Sequence, residues 1–233
     1  RMAKEVLCGQ YGKDSLVTLY LLQDYWPRLT VYFCDSGHAF PETLELVEEI
    51  KSIVPRFVTI AGRQPGVVAE HGYPSDLVPY NSTLYGHTKA GDTAYPMLER
   101  YTCCTVSIMI PLHDRMVADG ITLIIRGQRN DDEQKCPLRS GDVENGIEVL
   151  FPIEKWTSRD VLRYLNRKMI KTPRFYTAGM PAAPDCMSCT AWLDHGLPAY
   201  LKQYYPADYE LLQMRLQMQV KAIVPALETI YAS

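Results

Sequence analysis

The sequence predicts an α/β fold: a doubly wound, mostly parallel sheet with helices on both faces, followed by a C-terminal helical extension. Three observations predict it. The first third alternates short apolar runs with stretches of helical periodicity, and consecutive strand–helix–strand units favour a parallel sheet. Ile121–Ile125 (I-T-L-I-I) has the strongest strand pattern in the chain. Near the end, Ala207–Leu227 has the pattern of one long helix.

The first third supplies three strands and two helices. Pro27 ends the first helix, and the second has a proline in its first turn, where the missing N–H costs nothing. In chain order the predicted elements are strand Glu5–Gly9, helix Ser15–Tyr25, strand Leu29–Cys34, helix Pro41–Val54 and strand Phe57–Ile60.

The remainder has fewer regular elements. Thr157 and Asp160 have the spacing of a capping box, so a helix is expected from there to about Met169. The other expectations are a partly helical excursion over the sheet edge at Gln64–Pro96, a helix at Leu98–Ala118 kinked or broken at Pro111, a loop at Asn130–Asn145, a strand at Ile147–Ile153 and an irregular Lys171–Pro184. We expect an α/β domain over residues 2–170, with residues 171–233, an irregular segment and a final helix, packed on the same domain.

Composition narrows the class of protein. The chain has 233 residues, of which 47% are hydrophobic and 22% charged, with a net charge of −3. No apolar run approaches the roughly 18 residues of a membrane helix, and the acidic balance argues against a protein that coats nucleic acid. Seven cysteines without a secretion signal predict a reducing, cytoplasmic setting.

A polar turn between the first strand and the first helix is the first candidate site. Parallel sheets bind ligands past the carboxyl ends of their strands, and a helix N-terminus attracts phosphate. The spacing differs from that of a Walker A loop, and the turn alone is also typical of an ordinary helix start. The expected phosphate-binding residues are Gly9, Gln10, Tyr11, Gly12, Lys13, Asp14 and Ser15.

Two arginines follow the strongest strand. Arg126 and Arg129 flank Gly127, and their guanidinium groups suit phosphate or sulfate. The acidic residues that follow, Asp131–Glu133, predict either a solvated loop or a site where Mg²⁺ accompanies the anion.

Two stretches carry a resemblance to a known family. Gly12–Ser15 resembles the pyrophosphate loop of the PP-loop adenine-nucleotide α-hydrolases. Asp35–Thr43 (D-S-G-H-A-F-P-E-T) resembles the Asp-Thr-Gly-x-x-Phe-Pro-Glu-Thr signature of the phosphoadenosine and adenosine phosphosulfate reductases. The resemblance implies a sheet of that superfamily and extends the nucleotide site to Asp35, Ser36, Gly37, Arg126, Gly127 and Arg129. Gln10 and Tyr11 depart from the family's Ser and Gly.

Four cysteines form two pairs, Cys103-Cys104 and Cys186-x-x-Cys189. Core packing, a structural zinc, a dithiol and an iron–sulfur cluster are the alternatives, although a dithiol usually opens a helix after a strand. The arrangement is similar to the cluster pattern of the adenosine phosphosulfate reductases, which implies a 4Fe–4S cluster. Cys8 and Cys34 have the pattern of packing residues.

The resemblance leaves the reaction open. Those reductases attack sulfate with a cysteine in a Glu-Cys-Gly-Leu-His tail, and this sequence has no cysteine after Cys189. Either such a tail belongs to a longer chain, or the reaction differs.

We expect cleavage of Mg²⁺-bound ATP to AMP and pyrophosphate, with Lys13 and Arg129 as catalytic residues, to activate an acceptor for cluster-dependent sulfur transfer. The alternatives are a sulfonucleotide reductase using Cys136 and a non-catalytic nucleotide-binding subunit. Expected partners are a nucleic-acid acceptor, a sulfur-donor protein or a second copy.

Overall fold

Six strands form the main sheet of the computed structural model, which describes residues 5–8, 12–79, 82–90, 96–132, 136–182 and 185–232. The strands are β1 (Glu5–Cys8), β2 (Thr30–Asp35), β3 (Phe57–Ala61), β6 (Leu123–Ile125), β7 (Val143–Glu144) and β8 (Ile147–Leu150). The order across the sheet is β3-β2-β1-β6-β8-β7, and only the last pair, β7 and β8, is antiparallel. The chain therefore leaves β1 toward one edge and later returns on its other side, which creates a topological switch point at β1.

Helices cover both faces of this sheet. Side chains of β2 alternate between the faces: Val31 and Phe33 join the larger apolar cluster, and Tyr32 joins a smaller one with Met116. The larger cluster contains residues of α1 (Lys13–Leu21), α2 (Pro41–Ile53) and α7 (Ser158–Lys168), and Met116 belongs to α6 (Ile110–Ala118). The predicted doubly wound α/β fold is confirmed.

The chain divides into two compact units whose segments interleave along the sequence. The sheet unit comprises Arg1–Asp35, Pro41–Ala61 and Pro111–Arg174. The second, which we call the cysteine unit, comprises Ser36–Phe40, Gly62–Ile110 and Phe175–Ser233. The predicted division at residue 170 stays a prediction.

The cysteine unit is mostly helical. Its two strands, β4 (Tyr73–Ser75) and β5 (Met97–Glu99), pair in parallel. Its helices are α3 (Gln64–His71), α4 (Leu84–Ala90), α5 (Arg100–Cys104), α8 (Arg174–Thr177, which begins at the last residue of the sheet unit), α9 (Leu197–Tyr204) and α10 (Pro206–Tyr231). The predicted long C-terminal helix is therefore present, with Pro225 inside it. Among the described residues, every helix is too short or too polar to cross a bilayer.

The helix predicted around Pro111 is continuous, with no break at that residue. The stretch from Arg100 to Ala118 is helical throughout, but residues Thr105–Met109 form a π-helical turn just before the proline. Pro111 has no N–H to give to the carbonyl of Ser107, four residues earlier. That carbonyl instead accepts the N–H of Arg63 at 2.9 Å, so the proline leaves no buried acceptor unpaired.

Candidate functional site

The turn after β1 leads directly into the first turn of α1. Gly12 precedes the helix with an extended backbone, φ −62° and ψ 171°, and its carbonyl accepts the N–H of Leu16 at 3.1 Å. The first N–H groups of any α-helix have no partner within the helix, and they carry its positive dipole end. Lys13 is buried, and its Nζ lies 3.1 Å from Oδ2 of Asp14. The predicted loop residues Gly9, Gln10 and Tyr11 lie outside the described residues.

The segment between the two arginines has no space for a side chain at Gly127. A Cβ at this position would lie 2.6 Å from the carbonyl carbon of Asp14 and 2.9 Å from the N of Ser15. Both contacts are with backbone, which cannot move aside as a flexible side chain does. The turn after β6 therefore packs directly on the beginning of α1, and the two predicted phosphate-binding segments meet there.

Arg129 is the most heavily paired charge in the sheet unit's candidate site. It is 5% exposed, and three carboxylates contact its guanidinium group. Nε lies 2.7 Å from Oδ1 of Asp14, Nη1 lies 3.3 Å from Oδ2 of Asp131, and Nη2 lies 2.7 Å from Oδ1 of Asp132. Asp132 is therefore not simply a solvated loop residue, whereas Asp131 is exposed although it contacts Arg129, and Glu133 lies outside the described residues. Burial raises the pKa of the Asp132 carboxyl, and the backbone N–H and charge of Arg129 oppose that shift.

The net charge of this cluster is negative. Three carboxylates, those of Asp14, Asp131 and Asp132, face two cations, Lys13 and Arg129. The fixed charges would therefore repel an additional bare anion unless that anion arrived with a cation.

The other predicted nucleotide-binding residues fall in both units. Asp35 is the last residue of β2, and Arg126 follows β6 with its N–H bonded to the Leu150 carbonyl at 3.0 Å. Both β2 and β6 pair in parallel with β1, so their ends lie at the same edge of the sheet as the turn that follows β1. Ser36 and Gly37 belong to the cysteine unit, and Gly37 adopts φ +88°, which favours glycine. Whether these residues bind nucleotide stays a prediction.

The family-like segment contacts the Cys-x-x-Cys segment within the cysteine unit. The Ser36 hydroxyl donates to the Asp185 carbonyl at 3.0 Å, and the His38 carbonyl accepts the N–H of Met187 at 2.8 Å. Nδ1 of His38 also lies 2.5 Å from the Ser188 hydroxyl. Residues 36–38 and 185–188, separated by nearly 150 positions, therefore form one hydrogen-bonded arrangement.

All four predicted metal-binding cysteines line a single small cavity. Its other walls include a glutamine, an arginine and an indole ring that the sequence analysis did not single out. The lining residues are Gln64, Pro74, Arg100, Cys103, Cys104, Ser107, Ile108, Cys186, Cys189 and Trp192. The α5 helix and the residues 186–189 thus bring together thiols that lie more than 80 residues apart in sequence.

The thiols of this cavity are free and strongly desolvated. Burial is the main cause of a raised pKa at each of them, and neighbouring thiol and carboxylate charges add to it; the pKa of Cys189 rises to about 12. Burial also raises the pKa of the neighbouring Asp185 carboxyl to about 6. Metal binding to such thiols must displace their protons. Within the part of the chain that the structure describes, no three or more His, Cys, Asp or Glu side chains are arranged so that they could together hold one metal ion.

Two residues of the cavity have no obvious sequence signal. Gln64 is 3% exposed, and its Oε1 has no hydrogen-bond partner within the described residues. Arg100 lies three positions before Cys103, one helical turn away, which is the only sequence hint of its place. Its guanidinium stacks 3.7 Å from the Trp192 ring centroid, and its Nε pairs with Asp76 at 3.0 Å.

Cys136 lies elsewhere, in a cavity of the sheet unit. That cavity has a volume of about 420 Å³, and Arg129 and Arg139 also line it. Cys34, by contrast, is a buried strand residue, as predicted, and the side chain of Cys8 lies outside the described set.

Comparison with known proteins gives a consistent result. The family model of the phosphoadenosine phosphosulfate reductase domain matches residues 5–192 of the chain. The chain is similar to the phosphoadenosine 5'-phosphosulfate reductase of Gloeobacter violaceus, with 24% identity over 194 residues, covering 81% of this chain and 72% of that protein. It is also similar to the adenosine 5'-phosphosulfate reductase of Geobacillus kaustophilus, with 25% identity over 190 residues, covering 80% and 72% of the two chains.

The fold has a counterpart among solved structures. The phosphoadenylyl-sulfate reductase of Candida auris, solved as a phosphate complex, superimposes with a TM-score of 0.56 at 17% identity. The match covers 79% of this chain and 82% of that one. At this identity the likeness concerns the fold alone.

Proposed function

The chain belongs to the phosphoadenosine phosphosulfate reductase domain family, and from that premise we propose that it is an enzyme of sulfur metabolism that binds an adenine nucleotide at the end of β1. The finer proposal is cleavage of ATP to AMP and pyrophosphate. That cleavage would activate an acceptor for sulfur transfer. Nucleic acid is the proposed acceptor, and a donor protein is the proposed source of sulfur.

The charge of the cluster around Arg129 carries this proposal. Three carboxylates and two cations give an excess of negative charge beside the helix start that would receive phosphate. ATP brings Mg²⁺ with its phosphates, and that ion supplies the missing positive charge. A sulfonucleotide without a metal ion would bring more negative charge to a cluster that already has an excess of it.

The chain's own residues have distinct parts in this step. The N–H groups of the first α1 turn would hold the phosphates, and Lys13 would stabilise the charge that develops on departing pyrophosphate. Asp14 and Gly127 fix this turn against the end of β6. Breaking the bond between the α-phosphorus and its bridging oxygen transfers the adenylyl group to the acceptor and releases pyrophosphate.

The cysteine cavity supports the second half of the proposal. Four free thiols on one cavity provide the donor set that a 4Fe–4S cluster requires, and Cys103, Cys104, Cys186 and Cys189 would hold it. A bound cluster supplies iron that can accept an electron or bind sulfur.

Pyrophosphate release from ATP tests the proposal. Anaerobically purified protein is incubated with Mg²⁺, ATP and a mixture of tRNA and DNA, and pyrophosphate is measured. We expect release by the wild type and a loss of at least about 100-fold in Lys13→Met, because one preorganised cation is removed. Lys51→Met, an α2 lysine paired with Glu48, is the matched control and should retain activity. No pyrophosphate under any of these conditions would remove the proposal.

A sulfonucleotide reductase is the second candidate, favoured by the position of Cys136 beside Arg129 and Arg139 and by the names of the relatives. The Cys136 thiolate would attack the sulfate sulfur, release AMP and form a thiosulfonate. A dithiol protein of the thioredoxin class would then release sulfite and become a disulfide. Sulfite formed from adenosine phosphosulfate, abolished in Cys136→Ser but retained in Cys34→Ala, would select this reaction. Nucleotide binding with neither product would indicate a non-catalytic subunit.

A further inference from the structure

Two charged groups in the lining of the cavity that contains Cys136 form no ion pair with any other residue in the described ranges. Arg129 also lines it, but three carboxylates already contact its guanidinium group. The remaining ionic groups of its lining are Arg139 and Glu154. A volume of about 420 Å³ lies within the range of small-molecule sites.

Glu154 presents a buried acceptor. Its Oε1 is buried and accepts no hydrogen bond from any residue in the described ranges. Its backbone is held firmly, because its N–H donates to Phe151 at 3.0 Å and its carbonyl accepts from Asn130 at 2.7 Å. A buried carboxylate oxygen without a donor is costly, so a ligand that brings an N–H to it gains that energy.

Arg139 presents the complementary charge. Its Nη1 donates to Oδ1 of Asn130 at 3.1 Å, and its backbone N–H donates to Asp142. Arg139 forms no ion pair with any carboxylate of the described residues, which exclude positions 133–135. Arg139 is an exposed residue of the lining, so the edge of its guanidinium is accessible to a ligand carboxylate.

We propose that this cavity binds an α-amino acid, with its ammonium on Glu154 and its carboxylate on Arg139, beside the Cys136 thiol. Two groups of opposite sign, neither of them ion-paired within the described residues, select a zwitterion over a simple anion or amine. The inference goes beyond the proposed function, because this binding needs neither nucleotide nor cluster.

Calorimetric titration with three thiols tests it. L-Cysteine carries both charges, 3-mercaptopropionate lacks the ammonium, and cysteamine lacks the carboxylate; all three are kept reduced. We expect saturable binding of L-cysteine to the full chain, and binding at least about tenfold weaker for each analogue. Failure of L-cysteine to bind, or equal binding of either analogue, would overturn the proposal.

Two variants test which side chain binds the ammonium of the ligand and which binds its carboxylate. Glu154→Gln should weaken L-cysteine and cysteamine about tenfold and leave 3-mercaptopropionate unchanged, and Arg139→Gln should weaken L-cysteine and 3-mercaptopropionate but not cysteamine. Glu144→Gln and Arg163→Gln, exposed residues outside the cavity, are matched controls with wild-type affinities. A uniform loss for all three ligands in either cavity variant would contradict the assignment. Pyrophosphate release is measured separately, so the two proposals can fail independently.

Discussion

The buried guanidinium of Arg129 and the partly buried carboxylate of Asp14 form an ion pair that connects the turn after β6 to the first turn of α1, with Nε and Oδ1 2.7 Å apart. The same two segments meet at Gly127, where no side chain fits. Backbone packing and charge thus hold together two loops that lie more than 100 residues apart in sequence.

The first prediction concerns this ion pair. Arg129→Met leaves three carboxylates without their common cation, and removal of one partner of a buried ion pair typically costs about 3–5 kcal/mol. Urea denaturation should show that loss in the free energy of unfolding. Combining it with Asp14→Asn should cost less than the sum of the single changes, because the two residues contact each other. Arg163→Met, on the exposed surface of α7, is the control and should leave the free energy of unfolding near that of the wild type. If the losses of the two single variants simply add in the double variant, Arg129 and Asp14 do not stabilise each other.

The second prediction concerns the cysteines. Replacing any one of Cys103, Cys104, Cys186 or Cys189 with serine should lower the iron and acid-labile sulfide of anaerobically purified protein and its visible absorption. Cys136→Ser and Cys34→Ala should leave all three unchanged, because neither residue lines that cavity. Zinc without iron or sulfide in the wild type would show that the four thiols hold a different metal.

The third prediction concerns the contact between residues 36–38 and 185–188. Ser188→Ala removes the partner of His38, and Ser36→Ala removes the donor to the Asp185 carbonyl. Each lost hydrogen bond costs about 0.5–1.5 kcal/mol, and this cost falls on the segment that holds two of the cysteines. Iron should therefore be lost faster to a chelator in either variant. Ser52→Ala, at an exposed site in α2, should lose iron at the wild-type rate; equal rates in all four proteins would refute the prediction.

The fourth prediction concerns pH. The Tyr32 hydroxyl donates to Asp119, and burial, then that bond and the Asp119 charge, raise the pKa of Tyr32 above its usual value of 10.0. The folded state therefore holds this proton more tightly than the unfolded state, so its contribution is complete below pH 10 and declines as the pH rises further. Tyr32→Phe should cost about 1 kcal/mol at pH 8 and show a smaller decline above pH 10. Tyr231 is 89% exposed, so Tyr231→Phe should have the wild-type free energy of unfolding in urea denaturation, both at pH 8 and above pH 10.

Local pattern predicted much of the fold. The Thr157–Asp160 capping box is present with both reciprocal hydrogen bonds, and helix Pro41–Ile53 ends one residue before its expected boundary. These elements depend on capping groups and apolar spacing that are readable within a few residues. The continuous helix around Pro111 depends instead on Arg63, nearly 50 positions away, so the sequence pattern around the proline could not show it.

The residues of the candidate sites likewise include some that the local sequence predicted and others that it could not. The pairing of four cysteines on one cavity follows residue types and a family-like spacing, and the structure brings their side chains together. Arg129 was expected to face phosphate, whereas its contacts with Asp131 and Asp132 depend on a turn whose course periodicity does not specify. Gln64 and Glu154 carry no motif at all, because their interest lies in unpaired oxygens that only three-dimensional packing creates.

The interleaving of the two units has a consequence for how the protein is made. The chain passes between them after Asp35, Phe40, Ala61, Ile110 and Arg174, so no single cut releases either unit whole. During synthesis, the last strand of the main sheet ends at Leu150, before Cys186 and Cys189 leave the ribosome. The full thiol quartet therefore exists only after every described strand of the main sheet has been synthesised, and any inorganic group that needs all four thiols is acquired after that point.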